Sequence, residues 1–520
     1  MLSLQTTIKK AEPYLSILVT FAFVFISFFY LYTGSFLIST KLIRFATLGL
    51  LIYFVLAQKT RTDLAFVSLF LFYFSFSNPV PSSDLIPARF LPLWFDPVFD
   101  FRFEFLLDKT NPQIITKEDL VSLQGQMTSL PHTVGSYFLV LPYYLVPGTK
   151  EILPTYPWTP GFINFSVFKV LSLIHPLIQP MDLNDSSSLL KVLPTLIRLE
   201  KFTAALLATI TAYLLYLILS SKPFSNTRRA AFVYVFIYAL CTSHFSNSSQ
   251  GLWQHTVIEL LIAAILYLLF SSGYNYLRFF LIGCFAAILI YSRPSSIFLL
   301  SFPALMILKD IRNYKWFALG GVLSFLLTGI FLGWVNDSNY AHYLGGYSLH
   351  RLAYSLVGYS DLFSNSFWKG FLGLTVSPGF GYYIFSPFLV FPFLLFSKIT
   401  KKALFLSLII PELLLVLFYA KYVYWEGGHS YGARFLTDIN IFSILAFSLI
   451  PITIWKSHVL QFMITLCLLF SLYVQYFGAS QKEIVSLWNS CYYQDNFTKA
   501  IDLSNLPFHP NLKKTNCMNR

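Results

Sequence analysis

Charge is what this sequence has least of. Only 11% of its 520 residues are Asp, Glu, Lys or Arg against 56% hydrophobic, and a mean hydropathy of +0.64 excludes a soluble globular domain. Short alternating strands with a polar face are missing too, which excludes a transmembrane β-barrel. The five cysteines form neither a CxxC pair nor a metal-ligand pattern, and Cys241, Cys284 and Cys467 lie in apolar runs as inert thiols. No small-residue cleavage site follows the first apolar run, about residues 15–37. That run is also too long for a cleavable signal core, so it is expected to stay as an anchor. Acids are scarcer than bases, 23 against 36, for a net charge of +13. The bases gather in short loops, as at Lys398, Lys401 and Lys402, where the positive-inside bias accounts for them without a nucleic-acid partner.

What is present is a succession of apolar runs of helical length. A span needs roughly 20 apolar residues, and the hydrophobic fraction matches about a dozen of them. The expected class is therefore an all-α polytopic membrane protein with thirteen transmembrane helices. They read at about 15–37, 43–57, 63–78, 199–220, 230–243, 252–270, 277–291, 294–309, 316–335, 383–397, 403–423, 436–455 and 458–476. A further apolar stretch, Phe162 to Leu177, is expected to be an interfacial or re-entrant helix, because letting it cross would move every later basic cluster outward. The expected organisation is additional N-terminal helices over 1–60, a transmembrane core over 61–477 with a long first outer loop at 79–198, and a polar outer tail over 478–520. Few ionisable residues stand inside the spans, so chemistry is expected at the outer surface rather than at mid-membrane.

Several places in the outer segments carry candidate chemistry. Asp84 opens the first loop in Asp84-Leu85-Ile86-Pro87-Ala88-Arg89, where a carboxylate at a membrane boundary can serve as a general base and Arg89 can bind an anion; the bland alternative is a helix-capping Asp. Asp96, Asp100, Glu104 and Asp108 fit the polar side of an interfacial helix. Tyr156-Pro157-Trp158 precedes the interfacial helix, and Glu200 and Lys201 read as helix anchors, Lys201 by snorkelling. The turn from Ser243 to His255 concentrates Gln250, Gln254 and His255 at a helix start that favours phosphate. Arg293, in a short outer turn, is a cation that needs an anionic reason to be there. The Gly/Pro turn from Gly373 to Tyr382 offers backbone amides to a phosphate, or is simply a helix entry. The densest loop is Trp425-Glu426-Gly427-Gly428-His429-Ser430-Tyr431-Gly432-Ala433-Arg434, which packs an acid, a His, a Tyr and an Arg among three glycines.

At these residues the sequence resembles the GT-C superfamily of polytopic glycosyltransferases, which includes the protein O-mannosyltransferases, the lipid A aminoarabinose transferases and the oligosaccharyltransferases. It is most similar to a bacterial branch with the patterns Asp-Thr-x-Pro-Ala-Arg-Tyr-Leu-Pro, Tyr-Pro, Gln-x-Leu-Trp-Gln-His, Ser-Pro-x-x-Gly and Trp-x-Gly-Gly-x-Ser-Tyr-Gly-x-Arg. Here these are Asp84 to Pro92, Tyr156-Pro157, Gln250 to His255, Ser377 to Gly381 and Trp425 to Arg434, with Leu85 in place of Thr and Ala433 in place of Pro. The resemblance covers about residues 60–480, with two extra spans ahead of the first-loop acid where the superfamily core begins with one. It implies an enzyme in the bacterial inner membrane, with its active site facing outward. Such an enzyme takes a sugar from a polyprenyl-phosphate donor and passes it to a lipid, glycan or protein acceptor. By the resemblance Asp84 is the base that deprotonates the acceptor. Arg89, His255, Arg293 and Arg434 bind phosphate, and Tyr156, Gln250, Glu426, His429 and Tyr431 complete the substrate site. No cofactor is certain from the sequence, and a divalent metal stays open without a clean Asp-x-Asp motif to support it. The alternatives are a transporter or flippase of a lipid-linked saccharide, which would use the same cations without a base, and a non-catalytic assembly protein. An outer tail would permit a disulfide between Cys491 and Cys517.

Overall fold

The structure is a computed structural model and describes residues 25–508 other than 28, 35–38, 57–61, 77–82, 100, 101, 104–144, 148–151, 175, 180–185, 225, 272–274, 348–360, 429, 452, 453, 455, 490, 492–494, 504 and 505. Helix dominates it. In chain order the helices are α1 (Thr40–Leu56), α2 (Thr62–Phe74), α3 (Ile86–Phe95), α4 (Thr159–Ser172), α5 (Ser186–Leu219), α6 (Arg228–Cys241), α7 (Gln254–Phe270) and α8 (Tyr276–Ser292). They continue with α9 (Ser301–Lys309), α10 (Ile311–Tyr340), α11 (Phe367–Val376), α12 (Lys402–Ala420), α13 (Asn440–Phe447), α14 (His458–Ser480), α15 (Lys482–Asn489) and α16 (Asn496–Ile501). The described residues hold one small antiparallel ribbon, β1 (Leu145–Pro147) on β2 (Ile152–Pro154), between α3 and α4.

The all-α expectation holds, whereas four helices among the described residues, not thirteen, are long and apolar enough to cross a membrane. They are Lys191–Leu219 within α5, Tyr314–Tyr340 within α10, α12 and α14. Of the other expected spans, 15–37 lies largely outside the described residues, 43–57, 252–270 and 277–291 appear as unbroken helices of 17 residues each, and proline breaks or starts others. Pro387 and Pro392 divide 383–397 into short helical pieces, Pro294 starts 294–309 as a 3₁₀ turn, and 436–455 begins as a 3₁₀ turn that becomes α13. The apolar crossing stretch of α5 is 72% buried while that of α10 is 17% buried, so α5 is the central helix and α10 lies at the periphery with Trp316, Leu323, Ile330 and Trp334 exposed. The peripheral helix is held by close backbone approach: a Cβ on Gly283 of α8 would lie 2.0 Å from the Gly321 carbonyl of α10, and Ser324 donates to the Phe280 carbonyl at 2.8 Å.

Helix α4 occupies the stretch expected to be interfacial. One face buries Gly161, Phe168 and Leu171 and the other exposes Phe162, Val170 and Leu173. Asn164 ties it to α3 through the Ala88 carbonyl and to α5 through Thr203. The acids expected on an interfacial helix at 96–108 behave differently. Asp96 is buried, pairs with Lys169 at 2.7 Å and caps a 3₁₀ turn at Val98, and Asp100, Glu104 and Asp108 lie outside the described residues.

Three further expectations are corrected. Lys201 does not snorkel: it is 5% exposed and donates to the Ser249 carbonyl at 2.9 Å and to Gln250 Oε1 at 2.6 Å. Ionisable groups do stand inside apolar helices, where each is held by protein partners. Glu259 of α7 pairs with His244 at 2.8 Å and accepts from Tyr238, while Glu412 of α12 accepts from Ser443. The tail is more than a polar appendage. Trp488, Val485 and Ala500 are buried in it, and Trp488 packs on Phe380 with ring centroids 5.0 Å apart. Cys491 is disulfide-bonded, and its expected partner Cys517 lies outside the described residues.

Candidate functional site

Asp84 sits in a 3₁₀ turn, Ser83–Leu85, that leads into α3. Pro87 starts the helix, a position where its missing N–H costs nothing. The turn is anchored by Leu85, which is fully buried against Gly251. From this seat the Asp84 carboxylate accepts from Arg434 Nη1 through one oxygen and from the Tyr156 hydroxyl, at 3.3 Å, through the other. The Tyr156 segment is fixed by Trp158, whose indole donates to Tyr340 Oη at 2.7 Å, and by Tyr340, which donates to the Pro154 carbonyl. The Asp84 side chain is 13% exposed while Arg434 is 8%, so the carboxylate is the more accessible member of the pair.

Arg434 begins the 3₁₀ turn Arg434–Ile439, directly after Gly432. Gly432 has φ +63, and a Cβ there would lie 2.8 Å from the Phe385 ring. Only glycine meets both demands. Gly432→Ala is therefore expected to cost about 2–3 kcal/mol, from left-handed backbone strain plus displacement of Phe385. Denaturant unfolding of the variant against wild type checks it, and a change below about 0.5 kcal/mol would refute the strain argument.

A second acid completes the centre, and it was not among the expected residues. Asp438, fully buried, accepts from Arg293 Nη1 at 2.7 Å through one oxygen and lies 2.7 Å from His255 Nδ1 through the other. Nδ1 also lies 2.8 Å from Arg293 Nη1, so the ring sits between a group that only accepts and one that only donates. Arg293 reaches this point because Pro294 forces it into extended backbone, φ −166 and ψ 110, just past the end of α8. His255 arrives from the first turn of α7, which Thr256 pins to the Ser248 carbonyl. The two guanidiniums are neighbours across one ring: Arg293 lies 4.9 Å and Arg434 5.5 Å from the centroid of Phe435. Arg434 also stacks 4.7 Å from the Trp253 ring. Trp253 is 3% exposed, and its indole N–H has no hydrogen-bond partner among the described residues.

Of the expected residues, Asp84, Tyr156, His255, Arg293 and Arg434 thus converge. Glu426 stands within electrostatic range of Arg434 and of Lys499 in α16, which in turn lies 4.3 Å from the Trp488 ring. Three others are engaged elsewhere. Arg89 pairs with Glu200 at 2.7 Å, Gln250 holds Lys201, and the Tyr431 hydroxyl donates to the Val474 carbonyl at 2.8 Å. His429 lies outside the described residues. The Gly/Pro turn does not present its amides to a ligand: Gly379 donates to the Ala500 carbonyl and Gly381 to the Ser377 carbonyl. Two residues were missed besides Asp438. Tyr347 donates to Gln254 and packs edge-on against Tyr156, with ring centroids 6.2 Å apart, and Tyr419 lies under Arg293 at 5.1 Å. Asp438 had a readable signal, since an acid inside an apolar run needs a partner or a function. The tyrosines had none. Among the described residues no group of three or more His, Cys, Asp or Glu is placed to hold a metal ion.

Burial pushes the Glu426 carboxyl up to about 7, against the opposing pull of Lys499 and Arg434. Burial likewise pulls Lys499 down to about 8. A raised acid stabilises the fold below its unfolded value of 4.5, and that contribution is lost as pH rises through 7. A depressed lysine has the opposite sign, stabilising above 10.5 and losing this as pH falls through 8. Glu426→Gln is expected to abolish the first loss. Thermal unfolding from pH 4.5 to 8 should then show wild type falling relative to the variant, and parallel curves would refute the assignment. Comparison with known proteins finds no protein family whose profile matches this chain and no curated protein with a significant match.

Proposed function

We propose that the chain is a GT-C-type membrane glycosyltransferase that moves a sugar from a polyprenyl-phosphate-linked donor to an acceptor on the extracytoplasmic face, in a multi-pass inner-membrane protein. The observation that carries this reading is the accessible Asp84 carboxylate in contact with Arg434 and adjoining the buried Arg293–Asp438–His255 cluster. A proton acceptor and two guanidiniums in one place are what sugar transfer from a phosphate requires. The acceptor hydroxyl attacks the anomeric carbon and its proton passes to Asp84, while the bond to the donor phosphate breaks and the electron pair leaves on the phosphate oxygen. Arg434 and Arg293 stabilise that oxygen's charge. A single displacement inverts the anomeric carbon. Tyr156 orients the carboxylate, and the unpartnered Trp253 indole N–H offers a hydrogen bond to the sugar or phosphate.

A second reading, transport of a lipid-linked saccharide, draws on the buried carboxylates Glu259 and Glu412 within apolar helices, since intramembrane acids often mark transport pathways. Both are tied to side chains of the protein, which favours a structural role for them. The test is transfer from a panel of radiolabelled polyprenyl-phosphate sugars by the purified protein in lipid, beside Asp84→Asn and Arg434→Ala. Transfer by wild type that Asp84→Asn loses supports the enzyme. Donor binding without transfer to any acceptor, including membrane extracts, moves the conclusion to transport.

A further inference from the structure

The Trp425–Arg434 loop has little stiffness of its own. Gly427, Gly428 and Gly432 all have left-handed backbone, at φ +83, +67 and +63, and glycine gives up more conformational freedom on ordering than any other residue. The position of Arg434, at the end of this loop and in contact with Asp84, is therefore set by what packs around it. On one side the helix bundle holds the loop: Asn247 donates to the Tyr431 carbonyl at 3.2 Å, and the Tyr431 hydroxyl donates to the Val474 carbonyl. On the other side the loop rests on one short segment, residues 379–385. At its start Trp425, 2% exposed, is wedged between Gly373 of α11, where a Cβ would lie 2.3 Å from the indole, and Phe380, whose ring centroid is 5.7 Å away. At its end Phe385 packs edge-on against Tyr431 at 5.1 Å and fills the space that a Cβ on Gly432 would need.

That segment is in turn backed by the C-terminal tail. Trp488 of α15 is fully buried with its ring centroid 5.0 Å from that of Phe380, and the Ala500 carbonyl of α16 accepts the Gly379 N–H at 2.8 Å. The fit is close: a Cβ on Gly379 would come within 3.1 Å of Ala500 and 3.3 Å of the Trp488 ring. Further along the tail, Phe508 lies edge-on to Phe385 at 5.5 Å, and its carbonyl accepts from Tyr473 of α14 at 3.3 Å. The tail thus reaches both ends of the loop through two rings, Phe380 and Phe385, of one segment. We infer that the C-terminal tail is a strap that sets the Arg434 loop, with Trp488 and Phe508 as positioning residues that act through Phe380 and Phe385 to hold Arg434 against Asp84. Fixing a glycine-rich loop at both ends removes freedom that would otherwise be lost when a substrate binds, so the guanidinium is preorganised for the charge it has to meet. The consequence for sugar transfer rests on the glycosyltransferase reading, whereas the strap itself does not.

The full-length protein in nanodiscs is tested by two readouts. The first needs no turnover: amide hydrogen exchange over the Trp425–Arg434 loop, with the central helix α5 as internal reference. Trp488→Ala and Phe508→Ala are each expected to speed exchange in the loop at least tenfold and to leave α5 unchanged, and Trp488→Phe to restore slow exchange. The second readout is transfer from a polyprenyl-phosphate sugar, where Trp488→Ala is expected to lower kcat at least tenfold while KM for the donor stays within about threefold. Combined with Arg434→Ala it should cost nothing further, because a strap acts only through the residue it positions, whereas an independent defect would multiply. Phe508 is half-buried, so its variant keeps the test decisive should Trp488→Ala fold poorly. Loop exchange that is unchanged, or that rises equally in α5, overturns the proposal, and so does a multiplied loss in the double variant. Absence of transfer by wild type removes the glycosyltransferase reading and leaves the exchange result to decide the strap.

Discussion

Asp84→Asn is expected to lower turnover by about 10²–10⁴-fold, the usual contribution of a positioned general base, while donor affinity stays within a fewfold of wild type. The amide keeps the shape of the side chain, its oxygen can still accept from Arg434 and its NH2 can donate to the Tyr156 hydroxyl oxygen, so the seat between those groups is retained. What is lost is the ability to take a proton. A purely structural Asp84 would act the other way: neutralising it would leave Arg434, 8% exposed, short of a counter-charge, and the defect would fall on stability and on donor binding together. Steady-state kinetics beside an unfolding curve and a donor-binding isotherm separate the two. Turnover within tenfold of wild type would remove Asp84 from the role of base.

The second large effect is on the fold. Asp438 is fully buried and serves Arg293 and His255 at 2.7 Å each, so Asp438→Ala strips the counter-charge from a guanidinium that is only 6% exposed. Breaking a buried pair from one side typically costs about 3–5 kcal/mol, because the remaining charge has neither water nor partner. The expected outcome is a large drop in unfolding temperature and in folded yield. Removing the charge from both sides is a different matter. Asp438→Leu combined with Arg293→Met is expected to recover most of the stability, since an apolar pair of similar volume escapes the desolvation cost. A single variant as stable as wild type, or a double variant no better than the single, would show that the pair does not carry this charge balance. The recovered double variant should still be inactive, because Arg293 is also assigned to the departing phosphate.

Much of the architecture was legible because hydrophobicity is a local property. The apolar runs at 199–220, 316–335, 403–423 and 458–476 each appear as a helix able to cross a membrane, with ends displaced by a few residues. Runs that carried proline, such as 383–397, read as single spans from composition and fold as short pieces, because composition averages over the residue that removes the hydrogen bond. Asp84, Arg434 and Tyr156 stood out because polar residues in loops between apolar runs have few structural reasons to be there. Their mutual contact, across 350 residues between Asp84 and Arg434, could not be read from spacing.

The sequence by itself determined that this is a predominantly helical, apolar chain, since that follows from residue types and their order. Only the tertiary structure decided which charges neutralise which. It gave Arg293 to Asp438, Arg434 to Asp84 and Arg89 to Glu200. Pairing depends on distances between segments hundreds of residues apart, and those distances are set by how the helices pack, which no local pattern encodes.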